Sequence, residues 1–392
     1  MQYRSFGGLG FSVSALGFGA MRLPLRDGKV DEPLSIAMIR SAVDRGVNYI
    51  DTAYPYHDGA SEVIVGKALR DGYRRKAKVA TKLPSWLVQS AADFDRLLDI
   101  QLQRLQMDSV DYYLLHSLNR TYWPKLRDLG VIPWAEKAMA RGRFRHLAFS
   151  FHDDAETFRS ILDAHDWAMC QVQYNYMDEN NGPTAAGVRY AASKGIAVVV
   201  MEPLLGGKLV SPPPAVQAVW GRAARTRSPA AWALDWLWDQ PEVTTVLSGM
   251  SSQGQVDENV ALAAQSWTGC LDAQERALYP LARAAYEGLS LIPCTKCGYC
   301  VPCPHGVDIP ENLAVYNQAM MFGPDSACGQ YAWWKKAFEV VHTMDRDIRA
   351  LRCEQCKECE DKCPQSIPIS SWMPVIHRAL GEDGPFATKV TP

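Results

Sequence analysis

The sequence predicts an α/β protein in which a (β/α)8 TIM barrel is followed by a smaller α-helical domain rich in cysteine. Strand-like runs alternate with helical runs over residues 1–288, and a barrel of this kind typically takes about 250 residues. No G-x-G-x-x-G follows a strand with an acidic residue beyond it, which disfavours a doubly wound sheet. Eight of the eleven cysteines form two groups within residues 289–392, which predicts a second domain there.

The barrel prediction depends on eight runs rich in β-branched and aromatic residues. In chain order they are residues 13–21, 48–53, 78–83, 110–116, 144–151, 169–175, 195–202 and 244–250. Apolar residues at three- and four-residue spacing between them predict helices, as over 32–46, 94–106 and 228–240. The same spacing in the second domain predicts helices over 309–323 and 329–344, separated by Gly323 and Pro324.

Composition excludes several classes of function. The chain has 392 residues, 47% of them hydrophobic, and a formal net charge of -2 with both signs interspersed. This balance predicts no nucleic-acid partner and no membrane partner. The N-terminal stretch is broken by glycines and lacks the continuous apolar centre of a signal peptide, so we expect a cytoplasmic protein.

A cytoplasmic location determines how the cysteines are interpreted, because disulfides are rare in a reducing compartment. The second group reads C-x2-C-x2-C-x3-C-P, the run that binds a [4Fe-4S] cluster. Zinc is the alternative, but it needs only four ligands, usually two C-x2-C pairs set well apart. We therefore predict two [4Fe-4S] clusters. The eight predicted ligands are Cys294, Cys297, Cys300, Cys303, Cys353, Cys356, Cys359 and Cys363.

Two-cluster ferredoxins exchange the fourth ligand between their motifs. Crossed ligation here would give Cys363 to the first group and Cys303 to the second. The first group departs from the motif because only two residues precede its last cysteine. The 49 residues between the groups predict an α-helical ferredoxin-like domain, in which Trp333 and Trp334 belong to the core or, alternatively, shield a cluster. The isolated cysteines are expected to be small buried apolar residues; they are Cys170, Cys270 and Cys328.

Polar residues at three neighbouring strand ends predict an active site, because chemistry in such barrels lies at the C-terminal ends of the strands. Asp51 ends the second strand, Lys82 lies near the end of the third, and His116 ends the fourth. Tyr56 follows Asp51 in the next loop. An ammonium can lower the pKa of a phenol, a carboxylate can hold that ammonium charged, and a histidine can orient a carbonyl oxygen. The set therefore suits proton delivery to a carbonyl.

The stretch GVNYIDTAYPYHDGASE resembles the aldo/keto reductase signature, in which Asp-Thr-Ala precedes the catalytic tyrosine. The N-terminal YRSFGGLGFSVSALGFGAMRLP and the late TTVLSGMSSQGQVDENV are similar to that family as well. The resemblance implies that Tyr56 is the general acid, Lys82 its pKa modulator, Asp51 the partner of Lys82, and His116 the group that orients the substrate. With both cysteine groups, the chain resembles the branch bearing a C-terminal two-cluster ferredoxin-type domain.

The resemblance also implies an NADPH or NADH site that needs no Rossmann fold. The residues at matching positions are Gly19, Ala20, Met21, Ser150, Gln171, Tyr174, Pro203, Leu204, Gly206, Gly207, Lys208, Gly249, Ser251, Ser252, Gln255, Glu258 and Asn259, with His152 beside Ser150. NADPH-dependent members carry a lysine and an arginine where this chain has Gly249 and Gln255. The choice between NADH and NADPH therefore stays open.

These features predict an oxidoreductase that reduces a small-molecule carbonyl substrate, with the clusters serving electron transfer or structure. Hydride carries two electrons and a cluster usually one, so the clusters are structural, the substrate accepts single electrons, or a flavin mediates between the two. A ferredoxin-like or flavin electron-transfer partner is therefore a possible partner. One alternative is a ferredoxin-coupled enzyme of reductive cleavage or dehydroxylation. Another is a redox-sensing module that only binds nicotinamide. Tyr122 and Trp123 are predicted to form an aromatic wall of the substrate pocket, and Tyr54 to line it.

Overall fold

A computed structural model describes residues 1–180, 182–340 and 344–390, and shows a closed barrel of eight parallel strands. The barrel strands are β1 Leu16–Gly19, β2 Tyr49–Asp51, β3 Lys78–Leu83, β4 Val110–Leu118, β5 Phe144–Phe151, β6 Met169–Gln173, β7 Ala197–Met201 and β8 Val243–Gly249. They follow one another around the barrel in chain order, and β8 closes on β1 by pairing Val246 with Leu16. The predicted barrel is confirmed.

One predicted strand is in fact two. Residues 13–21 were expected to form a single strand, but Ser12–Ser14 pairs antiparallel with Tyr3–Ser5 before β1 begins at Leu16. The Ser14 hydroxyl donates to the carbonyl oxygen of Leu16 at 2.6 Å, which turns the backbone between the two strands. A second short hairpin pairs Leu25–Arg26 with Lys29–Val30.

Fourteen α-helices are found in the described residues. They are α1 Glu32–Asp44, α2 Ala60–Ala68, α3 Ala92–Leu105, α4 Tyr122–Asp128, α5 Val131–Ala140, α6 Ala155–Asp163, α7 Thr184–Ser193, α8 Pro214–Trp220, α9 Pro229–Trp238, α10 Gln253–Gln265, α11 Ala273–Glu287, α12 Ile309–Phe322, α13 Pro324–Glu339 and α14 Ile369–Gly381. Side-chain caps fix several starts: Asp31 accepts from the backbone N–H of Leu34, and Ser252 from that of Gln255.

The chain divides into two compact units, and the domain boundary at residue 288 stays a prediction. The barrel unit comprises Met1–Gly206 and Arg227–Arg276, and the C-terminal unit comprises Gly207–Thr226 and Ala277–Pro392. Aromatic contacts explain why residues 207–226 belong to the C-terminal unit, since the ring of Trp220 packs on Tyr279 at 5.2 Å. Lys208 joins them by donating from Nζ to Oε1 of Gln318 at 2.8 Å.

The C-terminal unit has its own hydrophobic core, built mainly from α12, α13 and α14. Tyr316, Met373 and Ile376 lie at its centre. Trp334 is buried there as predicted, but Trp333 is 51% exposed because it points from the opposite side of α13. Residues 341–343, at the end of the predicted helix 329–344, lie outside the described residues. No helix in the described ranges is long and apolar enough to cross a membrane.

Candidate active site

Lys82 lies at the centre of a hydrogen-bonded group at the C-terminal edge of the barrel. Its Nζ donates to Oδ1 of Asp51 at 2.6 Å, to the carbonyl oxygen of Thr52 at 2.9 Å, and to the hydroxyl of Tyr56 at 3.3 Å. These side chains lie close together because β2, β3 and β4 are neighbouring parallel strands, whose carboxyl ends share one edge of the barrel. The fold thus brings together the acid, its modulator and the carboxylate that the sequence predicts.

The Asp51–Lys82 ion pair is held away from water. Lys82 has no exposed side-chain surface and Asp51 only 4%. Burial lowers the pKa of Lys82. The carboxylate of Asp51 and the hydroxyl of Tyr56 raise the pKa by more than burial lowers it, so the net pKa lies above its ordinary value. An ammonium is therefore maintained beside the hydroxyl of Tyr56 at every physiological pH.

The phenol of Tyr56 has a raised pKa. Burial is the largest cause, and the positive charge of Lys82 counteracts part of this increase. The sequence predicts that the ammonium of Lys82 lowers the pKa of Tyr56. Lys82 does lower it compared with a phenol buried without a charged neighbour, but the net pKa stays above the ordinary value of a phenol. Tyr56 consequently remains protonated at neutral pH, which is the state that a proton donor requires.

His116 lies across the site as a neutral imidazole. Burial, with Lys82 nearby, places the pKa of His116 well below its ordinary value. Its ring meets Tyr56 edge-on at 6.2 Å and lies 5.1 Å from the ring of Trp86. Among the described residues, its buried Nδ1 has no hydrogen-bond partner. A neutral imidazole in this position can orient a carbonyl oxygen by donating an N–H.

Two aromatic residues predicted to line the pocket make contacts within the chain, and one aromatic neighbour of His116 was missed. Trp123 is a core residue, with its ring 5.8 Å from that of Trp167. Tyr54 stacks beneath Arg104, whose guanidinium carbon lies 4.3 Å from the ring centre. Trp86, which sequence reasoning overlooked, stands beside His116 instead. An aromatic residue four positions after Lys82, in the loop that follows β3, was the available signal.

Ser150 and Gln171 lie on adjacent strands, with Gln171 paired to Ser150 in the register of β5 and β6. Both are buried. The hydroxyl oxygen of Ser150 accepts from the backbone N–H of Ser117 at 2.8 Å, so its own hydrogen remains able to donate. Oε1 of Gln171 is buried and has no partner among the described residues. A free donor and a free acceptor side by side suit a carboxamide, which both donates and accepts.

Other predicted nucleotide contacts are occupied within the chain. Tyr174 is buried, its ring packs on Trp236 at 4.9 Å, and its hydroxyl donates to Oε1 of Gln240. Asn259 donates from Nδ2 to the hydroxyl of Ser248 at 2.9 Å. Sequence position alone could not show these contacts, because each partner comes from a distant element.

The N-terminus of α10 keeps its predicted features, with some internal contacts. Ser252 caps the helix, Oε1 of Gln255 accepts from the backbone N–H of Ser251 at 2.7 Å, and Glu258 accepts from the hydroxyl of Ser228 at 2.7 Å. Gly249 is in contact with Arg22, since a Cβ built on it would come within 3.2 Å of the arginine stem. Arg22 was not singled out from the sequence.

The loop after β7 has an unusual backbone. Glu202, Leu205, Gly206 and Gly207 all have positive φ. Pro203 is buried and Leu204 packs against the barrel core. Lys208, predicted to reach a pyrophosphate, binds Gln318 and lies 5.9 Å from the ring of Phe322 within the C-terminal unit. Gly19 ends β1, and Ala20 and Met21 follow it at the same edge of the barrel.

The eight clustered cysteines surround two cavities in the C-terminal unit, and none of them forms a disulfide. One cavity is lined by Cys294, Cys297, Cys300 and Cys363. The other is lined by Cys303, Cys353, Cys356 and Cys359, with Cys300 at its border. No three His, Cys, Asp or Glu side chains in the described part of the chain are placed to share a single metal ion. Four thiols around each cavity fit the donor set of a cluster, in the crossed arrangement.

Comparison with known proteins agrees with both units. A model of the aldo/keto reductase family matches residues 15–268, and a 4Fe-4S dicluster domain matches residues 293–368. L-galactose dehydrogenase of Arabidopsis thaliana is 30% identical over an alignment of 284 residues, and the match covers 67% of this chain and 88% of that protein. NADH-specific methylglyoxal reductase of Escherichia coli is 26% identical, over 64% of this chain and 90% of that one.

Solved structures of aldo-keto reductases are similar to this chain as well. The holo form of the aldo-keto reductase AKR11C1 from Bacillus halodurans superposes with a TM-score of 0.61 at 26% identity, covering 72% of this chain and 96% of its own. The family model covers more than half of the chain, and the dicluster domain falls where both cysteine groups lie. The protein is therefore an oxidoreductase of the aldo/keto reductase family, in the branch that carries a C-terminal 4Fe-4S dicluster domain.

Proposed function

We propose that the protein reduces the carbonyl group of a small aldehyde or ketone with NADH or NADPH, and that Tyr56 is the general acid. The observation that carries this proposal is the chain of contacts from Asp51 through Lys82 to Tyr56, at 2.6 and 3.3 Å. It lies at the edge of the barrel where chemistry occurs in this fold.

Each residue has one role in the proposed reaction. When bound, the reduced nicotinamide supplies a hydride to the carbonyl carbon. Tyr56 gives its phenolic proton to the carbonyl oxygen, so that the C=O group becomes an alcohol. Lys82 stabilises the phenolate that remains, and Asp51 keeps Lys82 charged. His116 orients the oxygen towards Tyr56, and solvent later returns the proton to the phenolate.

Ser150 and Gln171 are the residues best suited to hold the nicotinamide carboxamide. The hydroxyl hydrogen of Ser150 can donate to the amide oxygen, and the unpartnered Oε1 of Gln171 can accept from the amide nitrogen. The E. coli relative is named NADH-specific. Gly249 and Gln255 provide no positive charge for a 2′-phosphate in this chain. Direct binding of each nucleotide will decide between them.

We further propose that the C-terminal unit holds two [4Fe-4S] clusters, one in each thiol-lined cavity. Such clusters, when bound, carry single electrons. Cys297 and Cys356, one from each set of four, are exposed to solvent. This exposure favours electron exchange with a ferredoxin-like or flavin partner, and hence supports ferredoxin-coupled reductive cleavage or dehydroxylation as the second candidate function.

Turnover by the cluster-loaded protein tests the first proposal. A panel of simple aldehydes and ketones should be reduced with NADH or NADPH, and Tyr56→Phe should lower kcat by about 10²–10⁴-fold, the usual contribution of a general acid. Tyr54→Phe is the matched control, because that hydroxyl is two residues away and has no place in the contact chain. Equal rates for wild type and Tyr56→Phe would refute the role of Tyr56.

An anaerobic titration separates the two candidate functions. NADH and then NADPH are added to the protein while the cluster absorbance and the EPR signal of reduced [4Fe-4S] are followed. Cluster reduction by either nucleotide would show electronic coupling and favour the second candidate. Reduction by a low-potential reductant alone would favour carbonyl reduction with clusters that do not take electrons from nicotinamide directly.

A further inference from the structure

A buried polar cluster lies directly behind the catalytic residues and is centred on Glu62. This Glu62 cluster consists of Glu62 on α2, Thr81 on β3, Gln101 and Arg104 on α3, and Tyr113 on β4. Oε1 of Glu62 accepts from the Thr81 hydroxyl at 2.6 Å and from Nε2 of Gln101 at 2.8 Å, while Oε2 accepts from Arg104 at 3.2 Å. Tyr113 completes it by donating to Oε1 of Gln101 at 2.7 Å.

The fully buried carboxylate of Glu62 makes the cluster act as a unit. A carboxylate without partners would be very costly in this environment, whereas three donors, one of them the guanidinium of Arg104, satisfy it. The helices that carry it are also in close contact: a Cβ on Gly66 of α2 would come within 2.1 Å of the carbonyl oxygen of Leu105. The spacing between α2, α3 and β3 is therefore tightly constrained.

On one side, the Glu62 cluster is hydrogen-bonded to β3, the strand that carries Lys82. Nε2 of Gln101 donates to the backbone oxygen of Lys82 at 3.0 Å. Thr81, the residue before Lys82, is bound to both Gln101 and Glu62. The end of β3 is thereby attached to α3 at the position from which the ammonium reaches forward to the site.

The other side holds the loop that presents Tyr56. Nη1 of Arg104 donates to the backbone oxygen of Tyr54 at 3.1 Å, and its guanidinium lies over the Tyr54 ring. The same group fills the space beside Gly59, where a Cβ would come within 2.7 Å of Cζ. Arg104 thus contacts the loop on both sides of Tyr56.

The loop needs such support because its backbone is strained. His57 and Asp58 have φ values of 51° and 54°, in a region that costs about 1–3 kcal/mol for residues other than glycine. Conformations of this kind persist only when surrounding contacts impose them. Arg104 supplies contacts at both ends of the strained turn.

We propose that Arg104 is a positioning residue that sets the distance between the Tyr56 hydroxyl and Lys82. It links the loop of Tyr56 to the strand of Lys82 through Glu62 and Gln101, without touching substrate or cofactor itself. The inference rests on the proposed function of Tyr56 as general acid. A displacement of about 1 Å between reacting groups can cost about 10²-fold in rate, so Arg104 should affect catalysis from behind the site.

Arg104→Lys is the informative variant. A lysine keeps a positive charge for Glu62, but it lacks the planar fork that bonds and stacks on Tyr54. We expect kcat to fall by about 10–10²-fold, with the Kd for nucleotide and the thermal midpoint close to those of wild type. Arg96→Lys is the matched control, because Arg96 lies on the same helix and pairs with Asp93 on the exposed side. A wild-type kcat for Arg104→Lys would overturn the proposal.

Combination with Tyr56→Phe separates positioning from a general structural role. If Arg104 acts through Tyr56, Arg104→Lys should not slow the residual reaction of Tyr56→Phe any further. An equal fold-loss in both backgrounds would show that the whole site is disturbed, and the positioning role would be lost.

A readout without turnover keeps this test independent of the proposed reaction. 3-Fluorotyrosine is incorporated at position 56 and its ¹⁹F resonance is titrated. Because Lys82 lowers the pKa of Tyr56, a longer distance in Arg104→Lys should raise the pKa of the fluorotyrosine, whereas Arg96→Lys should leave it unchanged. An identical titration in wild type and Arg104→Lys refutes the positioning role. Absence of carbonyl reduction by wild type would refute only the proposed function.

Discussion

At the scale of single residues, Lys82 links the stability of the site to the proposed chemistry. It lies fully buried between Asp51 and Tyr56, and its ammonium is satisfied by a carboxylate, a backbone oxygen and a hydroxyl. Buried ions of opposite charge stabilise one another's charged form, and removing one leaves the other without compensation. A single substitution should therefore be visible in both the free energy of unfolding and the rate.

Lys82→Met should lower the free energy of unfolding by about 3–5 kcal/mol, because the buried Asp51 would lose its counter-charge. The same variant should lose carbonyl reduction, since the phenolate of Tyr56 would no longer be stabilised. Denaturant unfolding and steady-state kinetics measure the two effects. Lys78→Met is a control on the same strand, where the pair with Asp111 at 3.5 Å is partly exposed and contributes about 0–1 kcal/mol. Equal destabilisation by both substitutions would contradict the importance of the buried pair.

The pH dependence of the reaction follows from the two pKa shifts in the site. Burial raises the pKa of Tyr56 above its ordinary value of about 10, so the donating form is present throughout the neutral range. Burial lowers the pKa of His116 well below about 6.5, so the imidazole stays neutral there as well. The rate of reduction should be constant between about pH 7 and about pH 10 and fall only at higher pH.

A pH profile of kcat measured under saturating nucleotide tests this expectation. The decrease at high pH should disappear in the residual reaction of Tyr56→Phe, because no phenolic proton is then donated from position 56. A decrease centred near neutral pH would contradict the assignment of a neutral His116 and a protonated Tyr56.

At the scale of elements, local sequence patterns predicted the bounds of most strands closely. They failed where contacts with other elements decide the structure. β3 and β5 have the predicted bounds, 78–83 and 144–151, because β-branched and aromatic runs are recognisable along the chain. The first strand was predicted too long, since Ser12–Ser14 pairs with Tyr3–Ser5 before the barrel strand begins at Leu16. Trp333 could not be placed from helical spacing, which does not say which face of a helix meets a neighbour. Trp123 was assigned to the pocket only from its position after His116.

The cysteine motifs allow a direct test of which cysteines bind the same cluster. Cys363 lines the same cavity as Cys294, Cys297 and Cys300, although it belongs to the other motif. Cys297→Ser, Cys363→Ser and their combination should each remove about half of the iron, the share of one cluster. Cys356→Ser combined with Cys363→Ser should remove nearly all of it. Iron per chain and the EPR spin count of the reduced protein measure these losses.

Cys328→Ser is the control for the cysteine variants, because Cys328 is half-buried and lines neither cavity. Its iron content should equal that of wild type. The opposite result would show that each motif binds its own cluster. In that case the double variant of Cys356→Ser and Cys363→Ser would keep about half of the iron, whereas the double variant of Cys297→Ser and Cys363→Ser would lose nearly all of it.

At the scale of the whole molecule, each compact unit has its own hydrophobic core. In the C-terminal unit, cysteines that line the two cavities also pack against that core, among them Cys294, Cys303 and Cys353. Metal binding in such small units contributes directly to folding, because the ligands are not gathered in the unfolded chain. Stability of the C-terminal unit should consequently depend on its clusters, and that of the barrel unit should not.

Chelation of iron should lower the melting temperature of one calorimetric transition and leave the other in place. The transition that remains should be the one that Lys82→Met shifts, since Lys82 lies in the barrel unit. A chelator added to Cys297→Ser/Cys356→Ser should produce no further change and serves as the control. Coincident calorimetric traces before and after iron removal would contradict a structural contribution from the clusters.

The sequence by itself determined the barrel, the cysteine motifs and the four positions of the proposed catalytic residues, because each is encoded in residues close together or at a strand end. Only the tertiary structure decided which cysteines share a cavity, that Tyr174 and Asn259 are bound within the chain, and that α3 supports the loop of Tyr56. The physical reason is the same in each case. Residues far apart in the chain meet only after the strands close and the helices pack, and their contacts depend on shape and burial that no local pattern records.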